Sequence, residues 1–544
     1  MAWRRYGRRK FPTRNSKPLS PSCLAITHDN DTRRGAFIQI TEVSLMPLPP
    51  GLTESDFSDL LAEFGQAVGS EYVYSSDEHL QGYRDGVSPL YQTDQEPVPS
   101  AAVAPANVEE VQAVVRIANR YRIPFWVNST GKNFGYGGPA GVVNGTVNLD
   151  LKRMNRILQV NEANAYALVE PGVSFFELYR YLRERDIKLW LDVPSPGWGS
   201  IIGNTIEYGL GYTDQGQRVN FLCGMEVVLP NGEVMRTGQG AIPGSQSWQH
   251  YRRSIGPRID ELFCQTNYGV VTKMGIWLRP EPPAYLACSI MTDRNEKIIP
   301  MIDTMRPLRL GGIINNNATL YRYPFVQEGE ENPDNPGGWN NRVAFYGLKG
   351  VVRQHWEHVQ DAYNDAMPGT TFASNLYTTP YDLDSLGRSP DRLMAGIPSL
   401  GSSLHKTYFS MALPFDGQAA WDLILLLDEA SKRHGRRYFG MAHHVETPHE
   451  MVTTSSALLR PGDDEYNQTT MRMIKDWIVS TGEQGLGPYR VSTPYMDDAM
   501  AQFSFNNHRL LRFYEELKDV IDPNGIMAPG KNGIWPRHMR ENRA

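Results

Sequence analysis

The chain has 544 residues, 40% hydrophobic and 21% charged, with a formal net charge of −6. That length exceeds the roughly 250–300 residues that one hydrophobic core sustains, so at least two domains are expected. The acidic balance gives no general case for a nucleic-acid or membrane partner, and no apolar run approaches the roughly 18 residues that span a bilayer.

The opening 50 residues stand apart. Arg4, Arg5, Arg8, Arg9, Lys10, Arg14, Lys17, Arg33 and Arg34 fall there with little apolar periodicity. The segment reads as a disordered extension, with a basic arm or a targeting segment as the alternative. It lacks the continuous apolar stretch of a secretory signal. Cys23, Cys223, Cys264 and Cys288 form no CxxC pair. They predict neither a disulfide framework nor a zinc knuckle, and a reducing cytoplasm is the simplest location.

Residues 51–97 read as a helical lead-in followed by a polar connector. Asn107 and Glu110 sit at capping-box spacing, and Val111, Val114, Val115 and Ala118 follow at helical intervals, predicting a helix with one buried stripe. Ile123 to Val127 predicts a strand, as do TVNLDL (146–151) and AYALVEPGV (165–173) by their β-branched content. Ser174 and Glu177 repeat the capping box and open a second amphipathic helix through Phe175, Leu178, Tyr179 and Leu182. In MEVVLPNGEVMRTG (225–238), two apolar runs flank Asn231-Gly232, a pair favoured in type I′ hairpin turns. YGVVTKMGIWL (268–278) reads as the last strand of this region.

The character changes after Pro280, Pro282 and Pro283. Residues 284–487 hold a Gly/Asn/Pro-rich loop (329–340), helical segments (354–366, 417–434) and strands (405–414, 437–443). They read as a second domain inserted into the first. From 488 the chain returns to a helix (506–520) and the turn-rich DPNGIMAPGKNGIWP. The expected fold class is α+β. A first domain at 51–283 is completed by 488–544, and an inserted domain occupies 284–487.

Residues 124–138, PFWVNSTGKNFGYGG, carry the strongest chemical signal. A strand runs into a stretch of small residues whose backbone N–H groups can approach an anion, and Lys132 adds a cation. An ordinary strand-to-loop corner has the same composition, so its neighbours decide the matter. The chain has no GxGxxG, no GxxxxGK followed by Ser or Thr, and no GxSxG. A second small-residue segment, GSIIGNTIEYGLGYT (199–213), suggests a long ligand gripped by backbone contacts, and a dinucleotide fits. Tyr489-Arg490 follows a glycine-rich turn. Facing Tyr136 in one cleft, these side chains would surround an anionic oxygen with three donors. His443, His444, Glu446 and His449 cluster, and His355 and His358 lie three apart, but without HExxH spacing acid/base or core roles outrank a metal.

These segments together bring out a resemblance. PSAAVAPANVEEVQ (99–112), NSTGKNFGYGG, LVEPGV, LWLDVP, GSIIGNTIEYGLGYT, GMEVVLPNGEVMRTG, QTNYGVVTKMGIWL, GPYRVST and DPNGIMAPGKNGIWP occur in order. The chain resembles the vanillyl-alcohol oxidase and 4-cresol dehydrogenase group of flavoproteins over residues 97–284 and 400–536. The resemblance implies an FAD-binding α+β domain with an inserted cap over the flavin ring. It assigns Asn128, Ser129, Thr130, Gly131, Lys132 and Asn133 to the FAD pyrophosphate loop. Ser200, Ile201, Gly203, Asn204, Val270 and Lys531 would line the rest of the cofactor. Tyr136, Tyr489 and Arg490 match the residues that hold a para-substituted phenol as its phenolate. Hydride would leave the para benzylic carbon for flavin N5, giving a quinone methide that adds water or loses a proton. Oxygen or an electron-carrier protein such as a cytochrome would reoxidise the flavin, and a homodimer or larger assembly is implied.

Two departures from the family pattern affect the chemistry. Ser195 stands where the vanillyl-alcohol oxidase branch has an acid/base aspartate, and Met441 matches the cap glutamate of the other branch. His443, His444 or Glu446 would have to substitute. Relatives often tether FAD through a cap histidine or tyrosine. A one-residue gap makes His405 the first candidate here, while the gap-free match falls on Lys406; Tyr408 is a second candidate and non-covalent FAD the alternative. The same fold would also serve oxidation of a non-phenolic alcohol or hydroxy acid, or a flavin-binding protein without catalysis.

Overall fold

The computed structural model describes residues 47–323, 337–401, 405–438 and 440–541, without the side chains of 440 and 441. Nearly all of the basic opening segment, most of the Gly/Asn/Pro-rich loop and the Met441 side chain therefore lie outside the described parts.

Strands β1 (Val73–Tyr74), β2 (Ala101–Val103), β3 (Phe125–Asn128) and β4 (Val147–Asp150) form a sheet in the order β1-β2-β4-β3. β4 runs parallel to both β2 and β3. Helices Glu54–Val68 and Val108–Tyr121 supply Leu60, Phe64, Val111, Val114, Val115 and Ala118 to its core. The capping expectation holds at Asn107, whose Oδ1 accepts from the Glu110 N–H at 2.9 Å. The Glu110 carboxylate reaches back to the N–H of Ala106, one residue further out than a standard box. Residues 526–528 return beside β3. The Phe125 N–H donates to the Ile526 carbonyl at 2.8 Å and the Ala528 N–H to the Phe125 carbonyl at 2.7 Å.

β5 (Ile157–Asn161), β6 (Tyr166–Val169), β8 (Leu222–Val228), β9 (Val234–Arg236) and β10 (Val270–Trp277) form an antiparallel sheet ordered β5-β6-β10-β8-β9, while β7 (Leu189–Trp190) pairs with β11 (Arg279–Pro280). Helix Phe175–Glu184 packs Phe175, Leu178 and Leu182 inward. Ser174 and Glu177 cap it reciprocally, a device worth about 1 kcal/mol. The β8–β9 turn corrects the sequence reading. Leu229 and Glu233 pair across a loop of Pro230, Asn231 and Gly232, and only Gly232 has a positive φ, at 81°. Pro230 fixes φ near −65° and favours a type I turn closed by a left-handed glycine, so the two-residue type I′ turn does not form.

The third sheet is built from β12 (Ala284–Met291), β13 (Ala318–Tyr323), β14 (Gly338–Gly347), β15 (Thr371–Thr378), β16 (Lys406–Leu413), β17 (Gly440–Val445), β18 (Met451–Leu458) and β19 (Pro488–Val491). Its order is β15-β12-β14-β13-β17-β18-β16-β19, antiparallel throughout. Part of the expected 329–340 loop is thus strand, since β14 begins at Gly338. Helices Ile298–Leu310, Lys349–Ala366, Gly417–Lys432 and Asp464–Glu483 contribute to its core. The expected helix at 506–520 is Phe505–Ile521, but Asn506, Asn507 and His508 have left-handed φ, so its first turn is broken. Among the described residues, no helix is long and apolar enough to cross a membrane.

Candidate active site

β3 ends at Asn128, and the chain then turns through Ser129 to Gly138 along one wall of a cleft of about 1320 Å³, counted to its mouth. Opposite lies the start of helix Ile201–Ile206, capped by Ser200, whose Oγ accepts from the Gly203 N–H at 3.0 Å. A Cβ on Gly203 would come within 2.6 Å of Ser129 Oγ, so glycine lets the two walls close on each other. The third wall is the C-terminal return, with Met527, Ala528, Lys531 and Asn532.

Lys518 anchors this return. Its buried ammonium donates to the carbonyls of Asn267 and Met527 at 2.8 and 2.6 Å and lies 2.7 Å from Asp522. Both carbonyl residues line the cleft, so a fully satisfied buried cation fixes its floor.

The donor set fits a long anionic ligand. The N–H groups of Thr130, Gly131, Lys132 and Asn133 donate to no carbonyl. Asn128 Nδ2 and Asn267 Oδ1 are buried without hydrogen-bond partners among the described residues.

Most of the expected cofactor residues line this cleft: Asn128 to Asn133, Ser200, Gly203, Asn204 and Lys531. Ile201 and Val270 do not. Both are core residues, 1% and 0% exposed, and their neighbours Ile202, Gly269 and Val271 face the cleft instead. Val270 begins a strand, where side chains alternate between faces, and Ile201 sits on the core side of its short helix. Glu207, Thr266 and Asn267 also line the cleft and were not singled out from sequence. Glu207 pairs with Lys531 across it. Asn267 lies in the quoted segment QTNYGVV, where a polar residue between apolar runs was the available signal.

Strand pairing assembles the reacting end. β19 is the sheet edge beside β16, with Arg490 opposite Ser410. The Ser410 Oγ lies 2.7 Å from the Tyr136 hydroxyl. The Arg490 guanidinium sits 4.1 Å from the centre of the Tyr136 ring and donates to Asn133 Oδ1 at 2.7 Å. Tyr489 hydrogen-bonds the Tyr208 carbonyl through its hydroxyl. Burial raises the pKa of both tyrosines, holding them as neutral phenols. The trio is therefore adjacent, but each hydroxyl has its own protein partner here rather than a shared focus.

Glu446 follows β17 into the same field. It is 4% exposed, and neither carboxyl oxygen has a hydrogen-bond partner among the described residues. Burial pushes its pKa up to about 8; Glu450 adds to this, and Arg218 and Arg490 oppose it. His443 and His444 are buried and hydrogen-bonded to Thr453 and Thr454, and burial lowers their pKa values to about 3 and 4, leaving them neutral.

Two expected residues are not brought to this group. Ser195 is exposed, its Oγ lies 3.3 Å from Ser399 Oγ, and it does not line the cleft. The segment after it packs on residues 398–401 rather than on Tyr136: Gly197 donates to the Ser399 carbonyl at 2.7 Å. His405 is exposed and outside the cleft lining, as befits the residue just before β16. Tyr408 stacks on Tyr136, with ring centres 5.0 Å apart, and donates its N–H to the Gly135 carbonyl at 3.2 Å.

Residues 99–238 match the family model of the FAD binding domain. The 4-cresol dehydrogenase (hydroxylating) flavoprotein subunit of Pseudomonas putida is 31% identical over 523 residues, covering 90% of this chain and 97% of the relative. The 1′-carboxy-chondrochloren decarboxylase of Chondromyces crocatus is 37% identical over 262 residues, covering 48% of each chain. The 4-ethylphenol oxidase of Gulosibacter chungangensis, solved with isoeugenol, superposes with a TM-score of 0.83 at 32% identity, covering 91% of this chain and all of that one. A substrate-bound p-cresol methylhydroxylase gives a TM-score of 0.81 at 30% identity, covering 90% and 99%.

Fold, cleft and relatives define an FAD-dependent oxidoreductase with mixed α and β architecture. The chain belongs to the family of the 4-cresol dehydrogenase flavoprotein subunit.

Proposed function

We propose that the protein oxidises para-substituted phenols, 4-alkylphenols or 4-hydroxybenzyl alcohols, with Arg490, Tyr136 and Tyr489 holding the phenolic oxygen. The observation that carries this is the Arg490 guanidinium against the Tyr136 ring at the end of the flavin cleft, with Tyr489 beside it. FAD, when bound, supplies the two-electron acceptor. Arg490 is cationic at any working pH and stabilises the phenolate. That charge pushes electron density toward the para position, where hydride departs. The neutral tyrosines donate to the same oxygen once substrate displaces their present partners. Glu446, rather than Ser195, supplies the carboxyl that takes up the phenolic proton at its free oxygens. Residues 51–283 and 488–544 form the FAD-binding domain in this reading, and 284–487 the cap. The electrons pass on to oxygen or to an electron-carrier protein such as a cytochrome.

Anaerobic mixing with 4-ethylphenol should bleach the flavin absorption band, whereas its methyl ether, which cannot ionise, should not. Bleaching by a 2-hydroxy acid and by no phenol would establish the hydroxy-acid reading instead.

In this reading the tether is Tyr408 rather than His405, supported by its place against the Tyr136 ring; burial pushes its pKa up to about 12. Acid precipitation of the holoprotein should leave the yellow colour in the pellet, and Tyr408→Phe should release it. Retention in Tyr408→Phe together with release by His405→Ala would restore the histidine.

A further inference from the structure

In GSIIGNTIEYGLGYT (199–213) the first half lines the flavin cleft, but Gly209 and Gly211 do not. A Cβ on Gly209 would come within 2.1 Å of Asn204 Oδ1, and one on Gly211 within 1.5 Å of Asp192 Oδ2. These glycines therefore clear space for two polar side chains. Both side chains close on Arg218.

Arg218 is 0% exposed. Its guanidinium donates to Asp192 Oδ2 at 3.1 Å, to Asn204 Oδ1 and to the Leu210 carbonyl. Asp192 is also buried, and its other oxygen accepts from the Thr213 N–H and hydroxyl at 2.9 and 2.7 Å. A buried ion pair is weak support for stability, because desolvation offsets the attraction and an apolar pair can fill the same space. The charges call for another reason.

The loop that carries the pair packs on Glu446. A Cβ on Gly216 would come within 2.9 Å of the Glu446 carbonyl oxygen and 3.3 Å of Asn317 Cβ. The Asn317 N–H donates to the Thr213 carbonyl at 2.9 Å, and its side chain to the Gly211 carbonyl. Ala318, the next residue, pairs with Val445 across β13 and β17. The ion pair and the Glu446 backbone thus share one hydrogen-bonded framework.

We propose that Arg218 is a positioning residue for the reaction: its fixed charge, held by Asp192 and Asn204, sets the base strength of Glu446 and ties it to the cofactor wall. The inference rests on Glu446 being the proton acceptor. After burial, the groups acting on Glu446 are, in falling order, Glu450, Arg218, Asp192 and Arg490. The two arginines favour the carboxylate and the two acids oppose it. Tyr489, His443 and His444 also stand near and are neutral.

The test follows flavin reduction by 4-ethylphenol against pH, in holoprotein at matched flavin content. Arg218→Gln removes the cation and should move the limb near pH 8 upward by about one unit. Asp192→Asn removes the anion and should move it downward. A purely structural role gives no reason for opposite shifts from the two members of one pair. Each single variant leaves a buried charge unpaired, which can prevent folding. The double variant Arg218→Gln, Asp192→Asn leaves neither. Because Arg218 outweighs Asp192 at Glu446, its limb should still rise, by less than in Arg218→Gln. Arg218→Lys keeps the charge and should return the limb toward 8. A limb that stays in place in the double variant, or that moves the same way in both single variants, would overturn the inference while leaving Glu446 as the base. A limb that survives in Glu446→Gln would overturn the reading of Glu446 and the inference with it.

Discussion

Replacing Arg490 with Met should slow flavin reduction by a 4-alkylphenol about 10²–10³-fold, the range for removing a preorganised donor from a developing oxyanion. The side chain does three things at once. It stacks against Tyr136, fixes the flavin loop through Asn133 and lies opposite Ser410 at the sheet edge. Only the charge is specific to the chemistry, and Arg490→Lys separates the roles. Lysine keeps the charge but loses the planar fork, so a partial rescue is expected. Tyr489→Phe should cost less, about ten- to a hundredfold, because one hydrogen bond to a charged oxygen is worth about 1.5–3 kcal/mol. Stopped-flow reduction at matched flavin content is the measurement. A reduction rate for Arg490→Met within about threefold of wild type would remove Arg490 from the reaction.

The second large effect falls on Glu446. With a pKa near 8 it is mostly protonated at neutral pH and becomes a base above it. As the acceptor of the phenolic proton, it should make the reduction rate rise with pH through about 8 and then level. Glu446→Gln should be about 10²-fold slower near the plateau and lose that limb, keeping only the rise of the free phenol near pH 10. A rate that instead falls through 8 would make Glu446 an acid. A limb at 8 that persists in Glu446→Gln would belong to another group. Glutamine also removes a titrating group from the fold. A carboxyl whose folded pKa is raised stabilises the native state at low pH and loses that contribution as pH rises through the folded value. Between about pH 4.5 and 8, thermal stability should therefore fall less with rising pH in the variant than in wild type.

The sequence was most legible where local patterns decide structure. The Asn107 and Ser174 caps, the buried stripes that follow them and the strands at Val147 and Val270 stand where their residues predict. The loop after β3 was legible for the same reason, since small residues after a strand leave backbone donors free. The differences have two sources, a neighbouring residue in one turn and, elsewhere, packing by segments distant in sequence. Pro230 changed the turn type within one hairpin. Ile201 and Val270 face the core while their neighbours line the cleft. Ser195 and His405 were chosen by alignment position, and each packs away from the reacting group.

Residues 124–138 and the Tyr489-Arg490 pair by themselves determined only which polar groups were on offer; the FAD expectation came from the ordered family motifs. Backbone donors, a permanent cation and phenolic hydroxyls carry their chemistry wherever they sit. Only the tertiary structure decided how they meet. The pairing of β19 with β16 puts Arg490 across from Ser410 and, through it, against Tyr136, 354 positions earlier in the chain. It also decided that Glu446, one member of a histidine-rich cluster in the sequence, is buried with neither carboxyl oxygen paired among the described residues. Burial and pairing are properties of what surrounds a residue, and those surroundings come from strands that the sequence does not place next to one another.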